Sequence, residues 1–401
     1  MMRTVDIGMG RTRRLVQQRL QHLTRSRLLV AVLALGGSAM TAQAQGSLSG
    51  LGFGYPVGGT STRASATAGA FGEFDMLSPL NPASIAGVGR VMITAQTEPE
   101  YRRLRSGTVD QKNTAQRVPL LMVIFPAGNA VSLSLSATTF LDHSYSTVVR
   151  SSQTISGATI QTTDRTDVRG SIADLRAAAG WRINDHVSIG AGAHLFQGDN
   201  LVAIARTFDD TTRFGNATDS SRAVFFGTAL SLGGEWRIRK GLAATVSYRI
   251  GGGMDARVRD TVKTAANVPN RLGVSMRYDG IPGATFAVGM DQQDWTRMRG
   301  LGSATIQARD ATSWHAGVEV AGPKIRDDAI FLRAGIARNA LPFGVSSRVV
   351  DESRLSAGLG IPVARDQASI DISVQRATRT LVGASTRESA WMLGVGLQIR
   401  P

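Results

Sequence analysis

The segment VSLSLSAT, Val131 to Thr138, puts Val131, Leu133, Leu135 and Ala137 on one parity and Ser132, Ser134, Ser136 and Thr138 on the other. Successive side chains of an extended strand point to opposite faces, so this stretch is a strand with one apolar and one hydroxyl face. The same alternation recurs in LRAAAGWRI, HVSIGAGAHLF, LAATVSYRI, RLGVSMRY, WHAGVEV, IFLRAGIA, SIDISV and WMLGVGLQI. No 18-residue apolar run follows the N-terminal leader. If this chain crosses a bilayer it therefore does so with strands, which must close into a barrel to pair every backbone group.

The alternation predicts an all-β chain of about fourteen strands. Their cores fall near Arg90–Arg103, Val118–Pro126, Ala130–Leu141, Val168–Ile183, His186–Ala205, Ala223–Ile238, Leu242–Val258 and Arg271–Tyr278. The remaining six fall near Thr285–Asp294, Ser313–Ala321, Ile330–Arg338, Arg354–Val363, Ala368–Arg376 and Ser389–Arg400. After each even strand stands a short turn: Ala127-Gly128-Asn129, Asn184-Asp185, Arg239-Lys240-Gly241, the five residues from Asp279 to Gly283, a Gly322-Pro323-Lys324 bend and Ala364-Arg365-Asp366. Odd strands are followed by longer polar linkers such as SGTVDQKNTAQ and TTRFGNATDS. Tight turns at one end and long loops at the other are the layout of an outer-membrane barrel with its short turns in the periplasm.

Facing parity separates two environments. Trp181, Trp236, Trp314 and Trp391 share the apolar parity and lie near strand ends, where an aromatic girdle meets the headgroups. Trp295 has the opposite parity. So do Arg176, Arg182, His194, Arg249, Arg277, Asp291, Glu319, Arg333 and Asp371, charges that hydrocarbon would not tolerate and that are expected to line a wet lumen. A soluble sandwich would reverse these faces. The even strand count, the turn alternation and the Gly, Ala and Val bias of the apolar face favour the transmembrane antiparallel barrel.

At the N-terminus, Arg25 and Arg27 precede an apolar run from Leu28 to Leu35 and an Ala42-Gln43-Ala44 site, the pattern of a cleaved secretory signal peptide over residues 1–44. Seven Arg and one Asp leave with it, which lowers the net charge from +15 to +9. The remaining Arg is scattered rather than gathered in a phosphate-tracking stripe, so nucleic acid is not an expected partner. The chain has no Cys, which excludes a disulfide framework, a lipid-anchored Cys and a thiolate metal site. No cofactor motif appears, and the G-x-G runs are strand glycines with no following helix. Mature His143, His186, His194 and His315 stand in no recognisable Ser or Asp motif, so catalysis and a metal site are not expected.

Between leader and barrel, residues 45–88 include STRASATAGAFGEFDMLSPLNPASIAG. Asn81 reads as an N-cap with Pro82 at the first helical position and Ala83 following, and Gly87 closes a helix of little more than one turn. Phe71, Phe74, Met76 and Leu77 need apolar partners. In STRASATAGAF followed by LNPASIAG, this stretch resembles the N-terminal hatch of FadL-like outer-membrane transporters and the related PorV-like proteins. The resemblance continues in VPNRLGVSMRYDG, TFAVGMDQQDWTRM, FLRAGIARNALPFG and RLSAGLGIPV. Two departures stand out: the chain ends in Ile399-Arg400-Pro401 without a terminal aromatic, and acidic residues before Asn81 are reduced to Glu73 and Asp75.

The resemblance implies a fourteen-stranded barrel over 89–401 with a plug over 45–88, resident in the outer membrane and surrounded by its lipid. It implies passive uptake of hydrophobic small molecules such as long-chain fatty acids, with Phe71, Phe74, Met76 and Leu77 along the ligand route and Asn81, Pro82 and Ala83 at a gate. The alternative it leaves open is a PorV-like barrel whose long outer loops hold protein partners.

Overall fold

A computed structural model describes residues 48–401 apart from 53, 108, 156–157, 259–260, 302–305, 326–327, 346–347 and 364–366. The signal-peptide expectation over 1–44 and the Ala364-Arg365-Asp366 turn lie outside the described residues.

The wall is built from β1 (Met92–Ser106), β2 (Val109–Pro126), β3 (Val131–Asp142), β4 (Ala158–Arg182), β5 (Val187–Phe208), β6 (Ala217–Arg239) and β7 (Leu242–Val258). It continues through β8 (Arg271–Ile281), β9 (Ala284–Gln293), β10 (Ala311–Ile325), β11 (Asp328–Val345), β12 (Arg348–Val363), β13 (Ala368–Leu381) and β14 (Arg387–Ile399). Each strand pairs antiparallel with the next, and β14 returns to β1 from Ile399↔Ile93 to Arg387↔Arg105. These fourteen strands close the barrel and leave the sheet no spanning edge. Four shorter strands of the same sheet are not members of the ring: Tyr55–Pro56, Tyr145–Ile155, Thr261–Asn267 and Ile306–Ala308.

The faces follow the parity. Leu133, Leu135, Leu230, Leu232, Ile336 and Leu355 are exposed on the outside, while Ser132, Ser134 and Ser136 are buried inside. A soluble core would require the opposite arrangement, so the apolar outer band marks a membrane β-barrel. Trp181 and Trp236 sit near the short-turn ends of β4 and β6, and Trp314 and Trp391 near the opposite ends of β10 and β14, all four with exposed outward rings.

Two details of the strand pattern differ from the sequence expectation. Parts of the polar linkers are strand: Ser106 and residues 109–116 of the first are paired as the ends of β1 and β2, and residues 217–220 of the second belong to β6. About ten residues span a bilayer, yet β4, β5 and β6 run for 25, 22 and 23 residues. Their polar upper halves keep pairing in water, through cross-strand contacts such as Arg206 with Asp164 at 2.6 Å. The Gly322-Pro323-Lys324 bend is likewise not a turn. It is a register shift inside β10, which resumes pairing at Lys324↔Ala329, because Pro323 cannot donate to the ladder but fits a bulge.

Candidate functional site

The lumen is occupied by the chain's own N-terminal segment. Leu48 and Tyr55 pack with Leu104, Leu341, Val350 and Leu381 at the long-hairpin end, and Tyr55 pairs with Asp142 of β3. Midway lies α1 (Thr62–Ala66), capped by Ser61, whose Oγ accepts from the Ala64 amide at 3.0 Å. Gln96 of β1 clasps this turn, donating to the Thr60 carbonyl at 2.7 Å and accepting from Thr62 Oγ1 at 2.9 Å. At the short-turn end, Asn81 Oδ1 accepts from the Ala83 amide at 2.9 Å and opens a 3₁₀ turn, Pro82–Ile85. Asn81 Nδ2 also donates to the Glu73 carbonyl at 3.2 Å, which ties the turn to the preceding chain. Gly87, at φ 69°, then leads to the wall and receives a hydrogen bond on its carbonyl from Arg182.

The wall is shaped to admit this segment. A Cβ built on Gly190 would collide with Pro82, on Gly233 with Asn81, and on Gly335 with the Thr67 backbone. These inward glycines are where the segment approaches the strands most closely.

The four apolar residues assigned to a ligand route divide into two pairs. Phe71 is buried against Ala70 and Ala287, and Phe74 lies under the Arg277 guanidinium at 4.9 Å from its ring centroid, so both pack the segment to the wall. Leu77 joins Ile85, Met92, Leu120, Met122 and Ile124 in an apolar cluster, with Met76 against its edge. Met76 and Leu77 also border a 300 Å³ cavity at the short-turn end, shared with Arg63, Glu319, Arg333 and Asp371.

The charged residues point inward and mostly pair. Arg333 bridges Glu319, at 2.6 Å, and Asp371. Glu319 also accepts from Arg63 of α1, at 2.6 Å, so this group fastens the segment to β10, β11 and β13. Asp291 accepts from His315 at 3.0 Å, and the other ring nitrogen of His315 lies 2.9 Å from the Ala68 carbonyl. Arg249 stacks over Phe140 and Phe196, at 5.3 and 5.6 Å. Arg176 is buried, and its Nε and Nη1 meet no acceptor among the described residues. His194 is held between Asp174 and Ser231. In the connection after β3, burial pushes His143 down to about 4 against the opposing pull of Asp142, so it is neutral at pH 7.

Two further groups escaped the sequence reading. Glu100, Arg102, Arg117, Asp142, Glu352, Arg379 and Glu388 form a buried ion network across β1, β2, β3, β12, β13 and β14. Tyr55 is gripped in it, its ring under Arg117 and Arg379 at 4.9 and 4.3 Å and its hydroxyl donating to Glu352 at 2.9 Å. Inward parity alone would have placed these charges in the lumen, but nothing local marks Tyr55 as their partner. The second group is an aromatic layer. Trp295 opens a 3₁₀ turn, Trp295–Leu301, between β9 and β10 and stacks on Phe140 at 5.4 Å, with Phe196 and Phe343 around them. Its exceptional parity has this cause: Trp295 lies beyond the last residue of β9 and folds inward. Trp295 also borders cavities of 60 and 110 Å³.

No family model matches the chain, and no curated protein matches it. Solved structures do. A Pseudomonas aeruginosa FadL homologue is 13% identical, with 87% of this chain and 99% of that one covered and a TM-score of 0.61. The CymD monoaromatic hydrocarbon channel is 11% identical over 86% and 98% of the two chains, with a TM-score of 0.55. The Pseudomonas putida toluene transporter TodX is 10% identical over 86% and 99%, with a TM-score of 0.54. At such identities the likeness concerns the fold alone, which this chain shares with these three structures.

Proposed function

We propose, from the FadL-like fold, that this chain is an outer-membrane channel for passive uptake of hydrophobic small molecules, with residues 48–88 as its internal plug. What supports this reading is the contact of residues 48–88 with inward-facing wall residues from the long-hairpin end to the short-turn end, beside an aromatic layer and cavities of 60, 110 and 300 Å³. Such an interior suits solutes that partition into apolar gaps one at a time and does not suit free diffusion of hydrated ones. The neighbours named as hydrocarbon channels support the solute class, and long-chain fatty acids are the substrate we favour within it. Passage breaks no covalent bond and asks for no catalytic residue or cofactor.

In this scheme the short turns face the periplasm and the extended hairpins face outward. A solute passes the Trp295 layer, moves along the segment and leaves by the cavity bordered by Met76 and Leu77. The gate is the turn fixed by Asn81, Pro82 and Ala83, with Phe71 and Phe74 holding the segment in register. The test is uptake of labelled fatty acid and of toluene into liposomes containing the full chain. Saturable uptake above protein-free liposomes is expected, and uptake indistinguishable from them would overturn the reading. The PorV-like alternative would use the strand extension of β4, β5 and β6 as a platform for protein partners, and a stoichiometric partner co-purifying from the membrane would favour it.

A further inference from the structure

The outer face of the wall carries a basic patch that passage does not use. β13, β14, β1 and β2 are consecutive in the ring, and their register sets outward side chains in rows. One row holds Arg376, Trp391 and Tyr101, with the Arg376 guanidinium 5.3 Å from the Trp391 ring centroid. On its short-turn side lie exposed Val374, Leu393 and Val395. Aromatic rings at the edge of an apolar band mark the level of the headgroups. On its long-hairpin side the next two rows set Arg103 opposite Lys112, and Arg105 between Arg387 and Asp110. All five basic residues are exposed, and the acid that stands among them is Asp110. It accepts from Arg103 at 2.8 Å and lies 3.8 Å from Arg105. Arg376 and Arg387 meet no carboxylate within ion-pair distance among the described residues. Asp351, the next acid along the row on β12, is held by Arg338 at 3.4 Å. Like charges directly opposite one another in a sheet repel, so Arg105 against Arg387 and Arg103 against Lys112 are unfavourable until an anion lies between them. On the extended hairpins the pattern differs: Arg165, Arg206 and Arg222 each hold an Asp, at 2.7, 2.6 and 2.8 Å.

We propose that this patch binds a lipid of the outer leaflet that bears more than one phosphate, with its acyl chains against the apolar band beneath. Three steps between strands and four residues along them make the patch roughly 14 by 13 Å, wide enough for two separated phosphates. Each guanidinium can give two parallel N–H bonds to phosphate oxygens, and at the edge of hydrocarbon such contacts are screened less than in open water. A free anion would use the charges alone. A lipid uses the charges together with Trp391, Tyr101 and the apolar side chains below them, which is why the occupant is a lipid. The inference rests on the long hairpins facing outward and is independent of solute passage.

The experiment uses the full chain in detergent micelles, titrated with diphosphoryl lipid A, dioleoylphosphatidylcholine and inorganic phosphate, with bound lipid counted by native mass spectrometry. We expect lipid A to be held far more tightly than phosphatidylcholine, and inorganic phosphate to displace it only in large excess. Arg103→Ala, Arg105→Ala, Arg376→Ala and Arg387→Ala should each weaken lipid A binding by about fivefold, while Arg222→Ala, outside the patch, should leave it unchanged. Heat-modifiable gel mobility checks that each variant is folded. Should the variants fail to fold, the intact chain decides: lipid A binding should weaken as salt rises from about 0.05 to about 0.5 M, and phosphatidylcholine retention should not. Equal retention of the two lipids, patch variants that bind as the intact chain does, or displacement by equimolar inorganic phosphate would overturn the proposal. Because the chain has no Cys, Ser385→Cys at the tip of the β13–β14 hairpin gives a single site for an impermeant maleimide. Labelling in intact cells supports the outer-leaflet assignment, and labelling only after lysis would overturn it. Lipid A binding by a chain that takes up no solute would leave this inference standing and sink the transport reading.

Discussion

Single residues show where parity is sufficient and where packing takes over. Leu135 is half exposed on the outer face, and Arg there must reach water or stay in hydrocarbon. Leu135→Arg is expected to destabilise the barrel by about 2–4 kcal/mol if it lies near the midplane, whereas Leu135→Ala should cost far less, since lipid fills the gap. Denaturant titration in lipid or detergent measures both, and equal costs would refute the assignment of faces. Inward positions are less forgiving than alternation suggests. Ser134 has lumen parity, and in a wet lumen Arg would be tolerated there; its near-complete burial makes that substitution a steric intrusion instead. Parity thus told which way Ser134 points but not what it meets, because the segment filling the lumen is distant in sequence.

At the scale of elements, the Asn81 cap is a local signal that a sequence can display, since cap, Pro82 and Gly87 lie within seven residues. Asn81→Ala should cost about 1 kcal/mol for the lost cap. Amide exchange of residues 78–88 should quicken while the strands stay protected, and unchanged exchange would show that the wall alone holds the turn. The Trp295–Leu301 turn is the opposite case. Its sequence reads as the end of a strand, and only the meeting of Phe140, Phe196 and Phe343 from three distant strands makes a seat for Trp295. Trp295→Ala should cost about 3–5 kcal/mol and raise leakage of small polar solutes through the full chain, read by liposome swelling. Leakage at the wild-type rate would mean that this layer is not a seal. The long hairpins were legible as polar segments yet not as strands, because Thr, Ser and Arg pair across strands as well as they fill loops.

For the whole molecule, all fourteen spanning strands were readable, since period-2 alternation is imposed on each of them by lipid on one side and the lumen on the other. The interior assembly was less so: Tyr55 on Glu352 and Arg63 on Glu319 join residues some 250 to 300 positions apart. The wall and segment are matched at their closest approaches, so disturbing either should release the segment. Gly335→Val is expected to keep a folded, heat-modifiable barrel but expel the region around Thr67, giving new proteolytic cleavage between residues 60 and 70; an unaltered digest would show that the contact can relax. If residues 48–88 close this barrel from within, as proposed, single-channel recording in planar bilayers will show a nearly silent intact protein and a steadily conducting chain lacking 48–88. A folded deletion variant that conducts no more than the intact chain would rule the plug out.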